Sequence, residues 1–240
     1  LKTLLKGLLS LVAILAALAG VAAYLVFGRN LPIQDHGHPA SGVETVKISI
    51  VSATLLDVAP GQVALIDCGN DKTAGAIKAA LASRGLNASD VTAIFLTHGH
   101  PDHTAGCKQF PKATVYALAE EIALIGDAAK VTQPLHDGTV TTLGNLSVEA
   151  FWVPGHTTGS AMYLAKGVLF FGDTAVAWKN HEIMPAFSLF AKDPEQNLAS
   201  LRKLETRLLP RAAEVKRLSF AHSGPLDGFE PFAAFAAGQR

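Results

Sequence analysis

Residues 97–103, THGHPDH, place three histidines and an aspartate within six positions: His98, His100, Asp102 and His103. Neutral imidazoles and a carboxylate converging on one point suit a borderline divalent cation such as zinc or iron. Adjacent residues cannot all face one ion, so the spacing suits two, one taken by His98 and His100 and the other by Asp102 and His103. A two-ion site needs further donors. Three isolated residues downstream could supply them: His156 in VPGHTTGS, Asp173 in LFFGDT and His222 in LSFAHSG. Each follows an aliphatic run and has a small residue beside it. Alone, any of them would read as a surface or satisfied core residue; beside the first cluster they become candidate ligands.

The elements that must position these residues alternate between strand-like and helix-like patterns. AIFLT ends a buried strand, which puts His98 and His100 at its carboxyl end and Asp102 and His103 in the turn beyond, with a short helix expected from Thr104. Upstream, TVKISIVSATLLDV and QVALID are strand-like, with Pro60 and Gly61 turning between them. NDKTAGAIKAALASRG carries apolar residues at helical spacing, with Asn70 or Asp71 as its cap and Gly85 as its stop. Beyond the cluster come the strand ATVYA and a helix near 118–125. Strands follow at GTVTTL, LSVEAFWV, AMYLAKG and VLFFGD, then a helix over 194–208, the strand RLSFAH and a short terminal helix. Hairpins and helices mixed in this way predict a layered α/β domain with helices covering sheets.

Composition narrows the function. Twenty basic and twenty acidic residues in 240 give no net charge, and no basic surface stands out to recruit nucleic acid. Hydrophobic residues make up 49 %, with the excess at one end. Residues 7–27 carry no charge, and a helix of that length spans roughly 30 Å, the thickness of a bilayer core. The expectation is an N-terminal transmembrane helix within residues 1–28. Lys2 and Lys6 precede the span and only Arg29 closely follows, so the remainder is expected outside the cytoplasm, in the periplasm if the source is a Gram-negative bacterium. The alternative is a signal peptide cleaved at the A-x-A site of Ala17, Leu18 and Ala19, releasing a secreted domain. Residues 29–45 mix Gly, Pro and polar residues as a linker or entry loop, on which His36 and His38 are expected in solvent. The catalytic domain is expected over 46–240.

The order THGHPDH, PGHTTGS, FGDT and AHSG, preceded by LIDCG, resembles the metallo-β-lactamase-fold hydrolase superfamily over roughly 46–228. The resemblance implies a four-layer αββα sandwich with the metal site at one edge. It implies that His98, His100 and His156 hold a first metal, that Asp102, His103 and His222 hold a second, and that Asp173 bridges them. Asp67 would orient the metal loop from outside the ligand set. Two zinc ions are implied, with iron or manganese as alternatives. A metal-bridging hydroxide would cleave an ester, thioester, lactone or phosphoester of a small molecule, with Asp102 accepting a hydrogen bond from the attacking water.

Within the superfamily, Asp173 stands where true β-lactamases carry Cys or Ser, and His100 where flavodiiron oxidoreductases usually carry Glu. The ligand set is that of glyoxalase II-like thioesterases, although only 18 residues follow His222, where those enzymes add a glutathione-binding domain. The alternatives are a mononuclear iron oxidoreductase similar to persulfide dioxygenases and a non-catalytic membrane-tethered binding module. The loop over 175–190 is expected to form part of a substrate wall, with Trp178, Lys179 and His181 as contacts. Cys68 and Cys107 are expected as separate buried thiols, with a disulfide as the alternative open to an outward-facing domain.

Overall fold

The computed structural model describes residues 28–238, preceded by Val12, Ile14, Leu15, Gly20, Val21 and Tyr24. The apolar span expected over 7–27 thus falls mostly outside the described residues, among which no helix is long and apolar enough to cross a membrane. Residues 1–30 form a unit of their own, and the unit that carries the candidate ligands begins at Leu31.

That unit contains two six-stranded sheets. The first runs β1 (Val43–Ile48), β2 (Val51–Ala59), β3 (Gln62–Ile66), β4 (Val91–Phe95), β5 (Thr114–Leu118) and β6 (Gln133–Leu135), side by side in chain order. Its first two pairings are antiparallel and the next three parallel. Pro134 sits in β6, at the sheet edge, where a missing N–H breaks no ladder. The second half of the chain gives β7 (Val140–Leu143), β8 (Leu146–Trp152), β9 (Ala161–Ala165) and β10 (Val168–Phe170), then a separate hairpin of β11 (Ala175–Ala177) and β12 (Ile183–Pro185), and finally β13 (Arg217–Ser219) and β14 (Leu226–Asp227). The second sheet orders these β14-β13-β10-β9-β8-β7.

Three apolar clusters define four layers. Between the sheets, Leu56, Ile66, Phe95 and Leu118 of the first meet Val148, Tyr163 and Phe170 of the second. Outside the first sheet, Ile77 and Leu81 of α1 (Gly75–Ser83) pack on Leu65 and Ile94. Two short helices follow, α2 (Pro101–Thr104) and α3 (Ile122–Ile125). Outside the second sheet, Leu201, Leu204 and Leu208 of α4 (Pro194–Leu208) and Phe232 and Phe235 of α5 (Glu230–Gly238) pack on Leu169 and Leu218. The αββα arrangement expected from the motifs is the arrangement observed. Helix α4 spans the expected residues because Asp193 caps it, accepting from Gln196 N at 2.9 Å, and Pro194 occupies the first turn.

Several local expectations are corrected. The segment TVKISIVSATLLDV is two strands, reversed at Ser49 and Ile50, with Ser49 at φ 62° taking a conformation usually left to Gly or Asn. Helix α1 starts after Ala74; Asp71 serves it at one remove, accepting from Gly75 N at 2.7 Å. The helical turn expected from Thr104 instead covers Pro101–Thr104, since proline is preorganised for the first helical position. Most of the 29–45 stretch is docked on the domain: Lys47 N donates to Asp35, Thr45 N donates to Gly37 O, and strand β1 begins at Val43. His36 is exposed as expected, yet its Nδ1 bonds Glu44 at 2.8 Å. The loop over 175–190 contains the β11–β12 hairpin, whose three-residue strands are too short to show a period.

Candidate metal centre

The loops that carry the candidate ligands leave the carboxyl ends of strands from both sheets. After β4, Leu96 and Thr97 lead into His98 and His100, and α2 then carries Asp102 and His103. From the second sheet, the segment after β8 carries His156, the turn after β10 carries Asp173, and the segment after β13 carries His222. The predicted ligands fall into two groups that share one residue: His98, His100, His156 and Asp173, and Asp102, His103, Asp173 and His222, with the donor atoms of each group all within 4.8 Å of one another.

In the first group, His98 Nε2, His100 Nδ1 and His156 Nε2 form a triangle with edges of 3.1, 3.2 and 3.1 Å. Three ring nitrogens facing one another cannot all be satisfied by hydrogen bonds among themselves. A tetrahedral zinc with bonds of about 2.0–2.1 Å keeps its nitrogen ligands about 3.3 Å apart, so the triangle fits a bound cation. Asp173 Oδ2 stands 3.9 Å from His98 Nε2 and 3.7 Å from His156 Nε2. In the second group the same oxygen and Asp102 Oδ2 each lie 3.2 Å from His222 Nε2, while His103 Nε2 lies 3.2 Å from Asp173 Oδ1. His103 Nε2 and Asp173 Oδ1 are buried without a hydrogen-bond partner. Buried polar atoms are seldom left so, and a cation between them would satisfy both.

Charge is arranged in keeping with this. Burial drives His98 well below its ordinary pKa, lowers His100 and brings His156 down to about 4, which keeps all three neutral, the form that binds metal. At His103 and His222 burial acts in the same direction but is outweighed. Asp173, with Asp67, holds His103 well above its ordinary range, and Asp173, with Asp102, raises His222 to about 10. Burial would raise Asp173, but His103 and His222 hold it well below the usual carboxylate range. The second group thus surrounds its carboxylates with positive charge, a place a divalent cation could take.

Supporting bonds fix the ring orientations. Asp67, 2 % exposed and at φ 58°, accepts from Thr97 N at 2.8 Å, from Thr97 Oγ1 at 2.7 Å and from His103 Nδ1 at 2.8 Å. The bond to Nδ1 directs His103 Nε2 toward Asp173 Oδ1 in the candidate site. His222 Nδ1 likewise donates to Ile50 O at 2.8 Å. Cys68 and Cys107 are joined by a disulfide with their Cα atoms 5.3 Å apart, in place of the separate thiols expected. The bridge lies beside the Asp67 turn, where Cys68 N also donates to His103 O at 2.7 Å.

Trp178, Lys179 and His181 stand at the tip of the β11–β12 hairpin, on a turn in which Trp178 N donates to Glu182 O and His181 N to Trp178 O. They belong to neither ligand group. Sequence reasoning missed Glu121, Thr97 and Thr157. Glu121 is 1 % exposed and accepts from Gly99 N, Thr157 Oγ1 and Gly159 N. Burial pushes its carboxyl above the ordinary range against the pull of those donors. The only signal available was a pair of acidic residues, Glu120 and Glu121, in an otherwise apolar helical stretch, with nothing to mark which of them is buried.

Comparison with known proteins agrees with this geometry. The family model of the metallo-beta-lactamase superfamily matches residues 47–213. A hydroxyacylglutathione hydrolase of Alkalilimnicola ehrlichii is 36 % identical over 172 residues, covering 66 % of this chain and 60 % of that protein. One from Cereibacter sphaeroides is 34 % identical over 150 residues, covering 62 % and 54 %. The matched region thus spans little more than half the length of these relatives. Among solved structures, a metallo-beta-lactamase family protein from Thermus thermophilus superposes with a TM-score of 0.62 at 23 % identity, over 83 % of this chain and 79 % of that one. A subclass B3 metallo-beta-lactamase of Bradyrhizobium japonicum gives 0.60 at 20 % identity, over 81 % and 80 %. With a family match across most of its length and the αββα fold, the chain belongs to the metallo-beta-lactamase superfamily.

Proposed function

We propose that the chain is a hydrolase holding two zinc ions and acting on a small-molecule ester, thioester, lactone or phosphoester. The observation that carries this reading is Asp173, whose carboxylate faces both donor groups, each otherwise complete. Bound there, two divalent ions would bring the pKa of a bound water near neutrality and polarise the substrate oxygen, with no serine or cysteine nucleophile required. The chain's own part is positional. His98, His100 and His156 hold the first ion; Asp102, His103 and His222 hold the second; Asp173 contributes to both. Asp102 has the most exposed side chain of the carboxylate donors, 31 % against 13 % for Asp173, so it meets solvent and the arriving substrate. Burial would raise its pKa, but the bond to His222 and the charge of His103 lower it, leaving it ionised to accept a hydrogen bond from the attacking water. Trp178, Lys179 and His181 on the hairpin tip contact the substrate.

The names of the relatives make a hydroxyacylglutathione the first substrate to try. In the same reading the uncharged span over 7–27, preceded by Lys2 and Lys6, anchors the domain on the outer face of the cytoplasmic membrane. Elemental analysis of the full chain, purified without chelators or added metal, tests the metal reading. Two equivalents of zinc, with hydrolysis of at least one member of an ester, thioester, lactone and phosphoester panel, are expected. One equivalent of iron with oxygen consumption on a persulfide would overturn it.

A further inference from the structure

We propose that Glu121 is a positioning residue for the three-histidine site, setting the separation of the two loops that supply it. The inference rests on reading His98, His100 and His156 as a metal set. These histidines come from different sheets: two follow β4, and the third follows β8. Near the strand ends the two segments are joined by Ala161 N donating to Thr97 O at 2.8 Å. Beside the ligands themselves, Glu121 makes the junction. Its Oε1 accepts from Gly99 N at 2.7 Å, and Gly99 stands between His98 and His100. Its Oε2 accepts from Thr157 Oγ1 at 2.9 Å and from Gly159 N at 2.7 Å, on the loop that begins with His156.

Packing makes this junction rigid. A Cβ on Gly99 would lie 2.8 Å from Ile125 N and 2.9 Å from the Leu124 carbonyl carbon. One on Gly159 would lie closer still to the backbone of Glu120 and Glu121. Both ligand loops therefore press, through glycine, on the backbone of the same short helical stretch over 119–125. Thr157 is held in turn by Ser160, whose Oγ accepts from Thr157 N at 3.0 Å. Burying a carboxylate is costly unless its oxygens are satisfied, and an apolar side chain would fill the same volume without that cost. What only the carboxylate provides is a pair of acceptors that reach both loops at once. Glu121 belongs to neither donor group, so it acts through the histidines.

The test measures zinc affinity of the full-length chain by competition with a chromophoric chelator, in an H222A background that leaves the three-histidine set intact. Cobalt absorption spectra of the same chains and melting of the metal-free chains accompany it. E121Q keeps the shape but turns one acceptor into a donor facing Gly99 or Gly159. The expected result is a loss of about 10–100-fold in zinc affinity, as for other residues that orient ligands, together with altered cobalt bands. T157V, which keeps the carboxylate and both amides, should lose several-fold and serves if E121Q does not fold. Zinc affinity and cobalt bands unchanged in E121Q would overturn the inference, even if its melting temperature fell, because Glu121 would then serve packing alone. Failure of H222A itself to take up zinc, with Glu121 in place, would overturn the three-histidine site and this inference with it.

Discussion

Asp67→Asn isolates what one carboxylate does for the site. Asparagine tolerates the left-handed backbone at φ 58° about as well as aspartate, so the backbone contributes little to the change. The side chain contributes a great deal. Asp67 accepts three hydrogen bonds, from Thr97 N, Thr97 Oγ1 and His103 Nδ1, at 2.8, 2.7 and 2.8 Å. The asparagine oxygen can keep the first. Its amide then faces the Thr97 hydroxyl, which can rotate to accept, and His103 Nδ1, which must give up its hydrogen to do so. The tautomer that results carries its hydrogen on Nε2, aimed into the site, and cannot ligate a metal there. Hydrogen bonds to a charged group are worth about 1.5–3 kcal/mol each and neutral ones about 0.5–1.5, so exchanging two of the first kind for two of the second should cost about 3 kcal/mol. For a domain of this size that lowers the melting temperature by roughly 6–12 °C. Circular dichroism melting of the metal-free chain reads this cost. A zinc titration reads the tautomer, as a second equivalent bound about 10–100-fold more weakly. A D67N chain that melts within about 2 °C of the unsubstituted one and binds its second zinc normally would refute the reasoning.

Asp102→Asn should lower kcat on the best substrate by about 10²–10⁴-fold, the usual contribution of a positioned general base, and unchanged turnover would remove Asp102 from the mechanism. The Cys68–Cys107 bridge spans 39 positions, and closing a loop of that length stabilises by about 4 kcal/mol. Urea unfolding of oxidised and fully reduced chains should show that difference, and one below about 1 kcal/mol would count against loop entropy as the cause. Gly99→Ala should cost about 1–3 kcal/mol by forcing a methyl group against the backbone at Leu124 and Ile125, visible as an earlier unfolding midpoint. The bond to Glu44, aided by Asp35, raises the His36 pKa. A raised histidine contributes stability fully below its unfolded value of about 6.5 and loses it as pH rises through the folded value. Proton NMR should place the His36 midpoint above about 6.5, and E44Q should bring it back; a midpoint indifferent to E44Q would contradict the pairing.

Legibility in the sequence followed the range of each interaction. The candidate ligands could be read because four of them crowd into 98–103 and the others follow runs of apolar residues such as VLFF, which mark strand ends without any knowledge of their partners. The same runs pointed to a layered α/β domain, and the four layers followed from the family resemblance that the motif order carries. Glu121 could not be read, because its neighbour Glu120 has the same chemistry and only the fold buries the one at 1 % exposure while leaving the other largely in solvent. The reversal at Ser49 and Ile50 carries neither Gly, Pro nor Asn; it is imposed by the pairing of Ile48 with Val51. The disulfide depends on where the turn after β3 meets the turn after α2, a long-range fact no local pattern encodes.

Each sheet is built from one contiguous half of the chain, 43–135 and then 140–227, while the donors are divided between the halves. During synthesis the first half leaves the ribosome with four of the seven donors already present. His222 follows His103 by 119 positions, a delay of about 6–24 s at ordinary elongation rates. Until His156 emerges, 53 positions after His103, the nascent chain offers a metal only pairs of these donors, which any passing divalent ion can occupy and leave, and the second group still lacks His222 at the end of the interval. Discrimination among metals therefore falls to the finished domain. The ion that stays would bond to both halves at once, securing the later one to the earlier at the seam where they meet.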